Sequence, residues 1–348
     1  MAVQISFSPA RLSPAGGLTL AAARELLYRW LWWRKQGERV SLAAGNTQVA
    51  WHEEAQWLGL EMKEVEPPEK AEETIEPEIL RRLPEILPSE PAPWGVGSGE
   101  TPVAQLRALG TLPEALVNFL ALLGWRPPEG TSDVLTLAQL LRVFTPEQIV
   151  PTPVRFDAAK LRGLNRYWLQ QAELNRLLEL SLPYFCAAGY IPEDPPEPMR
   201  QWLKDLIRAV LPGLDYLALL PQRTRLIFCY SAQTCLEFPE SRLALEREGA
   251  RDVIREFGQR VLELSTGSRG DSWMTTTRLE AIIAQVKTAT RWKGRNLLEP
   301  LRVVLTGLPF GPELEQLVAI FEQGSRFQLP VHVKSCRERV LEFCSVFV

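Results

Sequence analysis

The sequence of 348 residues predicts a mainly α-helical protein, with a small α/β segment at the N-terminus and a larger helical bundle after it. Strand-like alternation of apolar and polar residues is confined to the N-terminal part, whereas beyond Leu112 apolar residues recur at helical spacing. Between these regions, residues 61–93 are rich in Glu and Pro, a composition that resists packing. We therefore expect two folded parts joined by an acidic linker.

The first 65 residues are predicted to form one β-α-β-α unit. An alternating run over 3–8 is followed by a helical pattern over 18–36, which Gly37 ends. A second strand pattern over 38–43 and an amphipathic stretch over 48–58 complete the unit. Two strand patterns bury little apolar surface, so we expect this α/β remnant to pack on the bundle or on a partner through its first helix.

The rest of the sequence is predicted to be helical and shows no repeat of fixed period. Helical periodicity extends over residues 113–123, 135–144, 157–179, 199–211, 240–264, 275–289 and 312–321. The predicted domains are an α/β remnant at 1–65, an acidic Pro-rich linker at 66–93, a first helical region at 94–180 and a second at 181–348.

Composition argues against several kinds of chemistry. Five cysteines at irregular spacings include no C-x-x-C pair, so we expect reduced thiols rather than disulfides. His52 and His332 are the two histidines, which makes a zinc centre or a histidine-based nucleophilic triad hard to build. We predict no metal and no cofactor.

Charge and hydropathy limit the kinds of partner and the cellular compartment that we predict. Residues 1–100 contain 10 Lys and Arg against 15 Asp and Glu, and the remainder contains 29 against 27. Neither part has the basic footprint of a dedicated nucleic-acid binder, so any RNA contact must come from a local patch. No segment is apolar enough to span a membrane, and residues 1–14 lack the features of a signal peptide, so we predict a cytoplasmic protein.

Three ordered blocks carry a resemblance to a known family. Residues 112–125 read L-P-E-A-L-V-N-F-L-A-L-L-G-W, residues 156–165 follow the pattern F-D-x-x-K-L-x-x-L-N, and residues 293–314 contain K-G-R, P-L-R, L-T-G and G-P-E-L in that order. These blocks resemble bacterial glutamyl-tRNA synthetases over about residues 80–323. The resemblance implies the stem-contact region and the helical anticodon-binding domains of that family.

The N-terminus resembles the same family more faintly. Synthetases of this type carry an H-I-G-G tetrad that approaches the ATP phosphates, and the aligned positions are Thr19, Leu20, Ala21 and Ala22. The histidine is absent, and methyl groups replace both glycine hydrogens. The family's acidic I-E-D-T-D run falls on residues 44–48, which contain no acidic residue.

The second signature of the catalytic site is also lost. The resemblance aligns the family's K-L-S-K-R loop with Pro93, Trp94, Gly95, Val96 and Gly97, so both lysines that act on the pyrophosphate are missing. The acceptor-stem insertion and most of the second half of the nucleotide fold are also absent, which leaves half of a Rossmann fold. We therefore predict that the protein does not ligate glutamate to tRNA.

Two kinds of function stay open. In the first, the protein binds tRNA, the glutamate species above all, through basic side chains and one aromatic ring that could stack on a base: Arg162, Arg166, Lys287, Arg291, Trp292, Lys293, Arg295 and Arg302. In the second, it is an assembly factor that has lost tRNA binding and docks a protein partner through the bundle and the helix that carries Trp30, Trp32 and Trp33.

Overall fold

The computed structural model describes residues 2–5, 12–43, 49–65, 77–89, 97–264 and 274–347. The chain divides into two compact units, Met1–Gln171 and Ala172–Val348. Helices dominate the described part of both, which confirms the predicted mainly α fold class. No helix in the described ranges combines the length and the apolar character needed to cross a membrane.

The first unit begins with β1 (Ala2–Ile5), α1 (Leu20–Lys35), β2 (Arg39–Ala43), α2 (Val49–Trp57) and β3 (Lys63–Val65). The three strands pair in parallel in the order β1-β2-β3. The prediction of two strands was one strand short. β3 contains one apolar residue, Val65, and stands at the start of the Glu- and Pro-rich stretch, so its sequence carries no alternation.

The unit continues with α3 (Glu78–Arg81), β4 (Ile86–Leu87), α4 (Val103–Ala108), α5 (Pro113–Leu122), α6 (Leu137–Val143), β5 (Val154–Arg155) and α7 (Ala158–Gln171). β4 pairs in parallel with β5. The predicted linker at 66–93 is therefore wrong over residues 77–89, where Leu80 and Ile86 lie buried in the core. The high content of Glu and Pro in this stretch concealed these two buried apolar residues. The other linker residues lie outside the described ranges.

Helix α1 is the central element of the first unit, and it packs against α5 and α6. The Tyr28 hydroxyl donates to the carbonyl of Ala121 at 2.9 Å. Trp30 and Trp33 are buried, Trp32 packs half-buried against the same core, and the Trp30 indole donates to the Glu61 carbonyl at 3.0 Å. The predicted partner surface at these tryptophans is therefore wrong, because neighbours of the same unit already cover the helix.

All regular secondary structure in the described part of the second unit is helical. Its helices are α8 (Leu174–Ala187), α9 (Glu197–Val210), α10 (Leu220–Phe228), α11 (Ala232–Glu237), α12 (Pro239–Leu245), α13 (Ala250–Glu263), α14 (Thr276–Thr290), α15 (Arg295–Thr306), α16 (Leu314–Gly324) and α17 (Cys336–Phe347).

Two long predicted helices are each divided in two. The pattern over 157–179 breaks after Gln171, and Glu173 caps α8 by accepting from the Arg176 N–H at 3.0 Å. The units therefore divide at Gln171 rather than at residue 180. The pattern over 240–264 breaks at Gly249, whose φ of +81° favours glycine. Apolar periodicity continues across both breaks, which is why it concealed them.

A buried arginine connects α17 to α10 and α15. The Arg339 guanidinium donates to the carbonyls of Leu226 and Leu305 at 3.0 Å, of Ile227 at 2.8 Å and of Lys334 at 2.9 Å. The rings of Phe321 and Tyr230 lie 3.8 and 4.5 Å from its Cζ.

Candidate functional site

The degenerate H-I-G-G positions lie at the start of α1, where backbone N–H groups would ordinarily be free to bind a phosphate. Here they are occupied. Thr19 is the N-cap, and its Oγ1 accepts from the Ala22 N–H at 3.2 Å. Leu20 N–H donates to the Thr101 carbonyl and Ala21 N–H to the Gly99 carbonyl, both at 2.9 Å.

Residues 97–103 cover this helix terminus. The Val103 N–H donates to the Leu18 carbonyl at 2.8 Å. A Cβ on Gly99 would lie 3.2 Å from Cβ of Ile86 and 3.5 Å from Cβ of Ala21, so the segment approaches α1 closely. Gly97 N–H donates to Oγ1 of Thr101 at 3.3 Å. The other aligned loop positions, 93–96, and the acidic-run positions, 44–48, lie outside the described ranges.

The carboxylate of Glu54 lies beside the start of α1. Buried Glu54 of α2 accepts from the Leu18 N–H, and a Cβ on Gly17 would lie 2.9 Å from both of its oxygens. Burial raises the pKa of Glu54, while hydrogen bonds from the backbone of Leu18 and Ala104 and the charge of Arg107 oppose the rise. When ionised, this group would repel a phosphate that approached α1.

The second unit brings four of the predicted cations together on one connection. Lys287, Arg291, Lys293 and Arg295 are exposed and lie within nine residues, where α14 ends and α15 begins. Arg291 closes α14 with a φ of +61°, and Gly294 opens α15 with a φ of +59°. Exposed guanidinium and ammonium groups beside the positive end of a helix suit phosphate groups.

Trp292, the aromatic residue among the predicted tRNA contacts, packs against a turn of the same unit. It is half-buried, and a Cβ on Gly249 would lie 2.0 Å from both Cε2 and Nε1 of its indole. The ring therefore packs on the turn between α12 and α13. Nearby, the Asn296 side chain donates to the Glu248 carbonyl at 3.3 Å. This packing fastens the connection to the turn, and base stacking by the half-buried ring stays a prediction.

A bridging carboxylate extends the basic surface to a residue that the sequence did not indicate. Glu299 lies 2.7 Å from Nε of Arg247 and 3.7 Å from Nε of Arg295. Arg247 stands 52 residues before Glu299, so no local spacing connects them. The one available signal was Gly249, a turn residue inside an apparently continuous helical pattern.

Arg302, predicted to contact tRNA, supports the loop between α15 and α16. Its Nη2 donates to the Pro312 carbonyl at 2.6 Å, and the side chain is half-buried. Burial lowers the pKa of Arg302, and the carboxylates of Glu313 and Glu315 act against this. This hydrogen bond holds the chain between α15 and α16, and a tRNA contact by Arg302 stays a prediction.

The remaining predicted cations, Arg162 and Arg166, are exposed on α7 and therefore belong to the first unit. The second unit also contains a cavity of about 860 Å³ that sequence reasoning missed. Its lining includes three exposed arginines and an aromatic side chain that is 57% exposed: Arg208, Arg223, Arg225 and Phe310.

Comparison with known proteins relates the chain to one group of enzymes. Residues 176–324 match a family described as an anticodon binding domain. Glutamate–tRNA ligase 1 of Caldicellulosiruptor saccharolyticus is 33% identical over 222 residues, which are 64% of this chain and 44% of that protein. The glutamate–tRNA ligase of Geobacillus thermodenitrificans is 36% identical over 236 residues, which are 67% of this chain and 46% of that protein.

A solved structure supports the fold. The crystal structure of a glutamate tRNA ligase from Elizabethkingia meningosepticum matches 90% of this chain and 58% of its own, with a TM-score of 0.53 and 14% identity. At that identity the likeness concerns the fold alone. The chain is therefore glutamyl-tRNA synthetase-like, as its three sequence blocks predicted, and it spans less than half the length of the curated relatives that it matches.

Proposed function

We propose that this protein is a non-catalytic relative of glutamyl-tRNA synthetases that binds tRNA, with the glutamate species as its first candidate. The observation that carries the proposal is the group of exposed cations on the α14–α15 connection, Lys287, Arg291, Lys293 and Arg295, inside the segment that matches an anticodon-binding family. Cations that neutralise phosphates release counterions, which supplies most of the affinity of such surfaces.

The start of α1 supports the non-catalytic part of the proposal. Adenylate formation needs the ATP phosphates close to a helix N-terminus and cations to meet the charge that develops on pyrophosphate. Here the N–H groups of Leu20 and Ala21 bind backbone carbonyls, and Glu54 adds a carboxylate next to them. The aligned positions supply neither the histidine nor the two lysines.

The alternative is a protein-assembly factor without tRNA binding, which docks a partner through the bundle and the tryptophan-rich helix. The helix part of that surface is weakened, because Trp30 and Trp33 are buried in the core of the first unit and Trp32 packs against it. A protein partner becomes the better hypothesis if the following experiment fails.

A charge-reversed variant tests tRNA binding. We expect the triple substitution Arg291→Glu, Lys293→Glu and Arg295→Glu to weaken binding of labelled tRNA at least about tenfold at moderate salt, because three phosphate contacts are replaced by repulsion. The log–log dependence of affinity on salt should flatten by about three units. Fluorescence anisotropy over a range of salt concentrations measures both quantities, and circular dichroism checks that the helices persist.

The matched control reverses three exposed arginines elsewhere in the second unit, Arg176→Glu, Arg278→Glu and Arg326→Glu, and so makes the same change in net charge. We expect this control to keep most of the affinity and the salt slope. Equal binding by the parent and the first variant would show that the cations on the connection are a solvated face, and the tRNA-binding proposal would then be abandoned.

A further inference from the structure

Glu299 brings together arginines from two separate elements. Arg247 lies in the turn between α12 and α13, and Arg295 is the first residue of α15. The Glu299 carboxylate contacts both through Nε, and its side chain is 20% exposed against 38% for Arg247 and 82% for Arg295. The carboxylate is thus mostly covered by protein, while both guanidinium groups reach solvent.

Two further contacts hold the backbone segments that carry Arg247 and Arg295 next to each other. The Trp292 indole packs directly on Gly249, and the Asn296 side chain donates to the Glu248 carbonyl. These contacts join the 246–249 turn to the 291–296 segment independently of Glu299. The backbone of Arg247 and Arg295 is therefore fixed before a ligand binds, which lowers the conformational entropy that is lost on binding.

Both arginines engage Glu299 through Nε, so their Nη groups remain the donors with which to meet a ligand. A guanidinium fork matches the paired oxygens of a phosphate group in geometry and in charge. We propose that Arg247 and Arg295 form a two-arginine clamp for one backbone phosphate of RNA, with Glu299 as the positioning residue that aligns them. This inference rests on the proposed tRNA-binding function.

The nearby carboxylates do not neutralise the positive charge of Arg247 and Arg295. Asp252 lies 3.5 Å from Arg255 and is paired there. Glu246 and Glu248 are exposed, so solvent and salt screen them. Lys287, Arg291 and Lys293 add positive charge from the adjoining connection.

Removal of Glu299 separates the clamp from a simple charge effect, because the two hypotheses predict opposite signs. Glu299→Ala makes the basic surface more positive by one charge, so a general electrostatic field would bind tRNA more tightly. The clamp requires the carboxylate for alignment, so we expect Glu299→Ala to bind about three- to tenfold more weakly, with Arg247→Ala showing a loss of similar size.

Three further variants make the test specific. Glu280→Ala removes an exposed carboxylate from α14 and should bind as tightly as the parent or more tightly. Arg247→Lys keeps the charge but loses the fork, so it should weaken binding. In the double variant Arg247→Ala with Glu299→Ala, the loss should not exceed that of Arg247→Ala alone, because both substitutions abolish the same alignment. Thermal unfolding by circular dichroism accompanies each measurement, and if Glu299→Ala fails to fold, the two Arg247 variants decide.

The proposal is overturned if Glu299→Ala binds tRNA as well as or better than the parent, or if Arg247→Ala and Arg247→Lys both bind as the parent does. Either result, with the triple reversal at 291, 293 and 295 still weakening binding, leaves the proposed function standing. Absence of tRNA binding by the unsubstituted protein removes both.

Discussion

Arg339 shows how the second unit accommodates a buried charge. Four backbone carbonyls and two aromatic rings surround its guanidinium. Burial lowers the pKa of Arg339 to about 10, while the neighbouring groups, Tyr230 and Cys336 first among them, act to raise it. The side chain therefore stays charged at neutral pH, and its charge is balanced by carbonyl dipoles on α10, on α15 and in the segment before α17.

This arrangement predicts a large stability effect at one residue. We expect Arg339→Met to lower the free energy of unfolding of the second unit by about 3 kcal/mol or more, because it leaves four buried carbonyls without a donor. Chemical denaturation followed by circular dichroism measures the change. Arg255→Met, at an exposed position on α13, is the control and should stay within about 0.5 kcal/mol of the parent. An equally small change for Arg339→Met would contradict this account.

At the scale of elements, the break between α12 and α13 depends on one glycine. Gly249 has a φ of +81°, and the Trp292 indole occupies the space that a Cβ would need. Gly189, after α8, has a similar φ of +70° but nothing within 4 Å of a built Cβ. A side chain at either position would therefore strain the backbone. At Gly249 it would also collide with the Trp292 indole.

Alanine substitutions at Gly189 and Gly249 separate the cost of backbone strain from the cost of the collision with Trp292. Gly189→Ala should cost about 1 kcal/mol of stability from backbone strain, and Gly249→Ala should cost at least about 1 kcal/mol more, because the indole must move. The difference should shrink when Trp292→Ala is also present. Thermal and chemical unfolding of the four variants measure these differences, and equal losses at the two glycines would show that the indole yields freely.

At the scale of the whole molecule, the described residues contain a three-stranded parallel sheet and a two-stranded one, and both lie in the first unit. A nucleotide crevice of the doubly wound type forms where two halves of a larger sheet meet. The described residues supply one such half. The start of its first helix is covered by residues 97–103.

We therefore expect no glutamate-dependent ATP–pyrophosphate exchange, with or without tRNA. Restoring single groups, by Thr19→His or Val96→Lys, should recover no activity, because the N–H groups of Leu20 and Ala21 stay hydrogen-bonded to carbonyls and the described residues supply no second half of the crevice. The measurement is isotopic exchange in purified protein, with an active synthetase as the positive control. Exchange stimulated by tRNA in the unsubstituted protein would overturn the non-catalytic proposal.

Local information was enough for much of the fold and for the family. The helix predicted over 113–123 is observed at Pro113–Leu122, and the one predicted over 275–289 at Thr276–Thr290. Proline at a first helical position, threonine at an N-cap and apolar periodicity act over a few residues, so the sequence displays them directly. The residues at 19–22, which contain no histidine and no glycine, likewise carry the proposal of lost catalysis directly in the sequence.

Tertiary structure alone decided which surfaces remain available. Trp30 and Trp33 looked like a docking face and are core residues, and Arg302, predicted as an RNA contact, holds the Pro312 carbonyl. Glu299 and Arg247 meet although 52 residues separate them. Periodicity along a chain specifies that a helix has an apolar face, but which neighbour covers each face, and which cations stay in solvent, depends on contacts between residues distant in sequence.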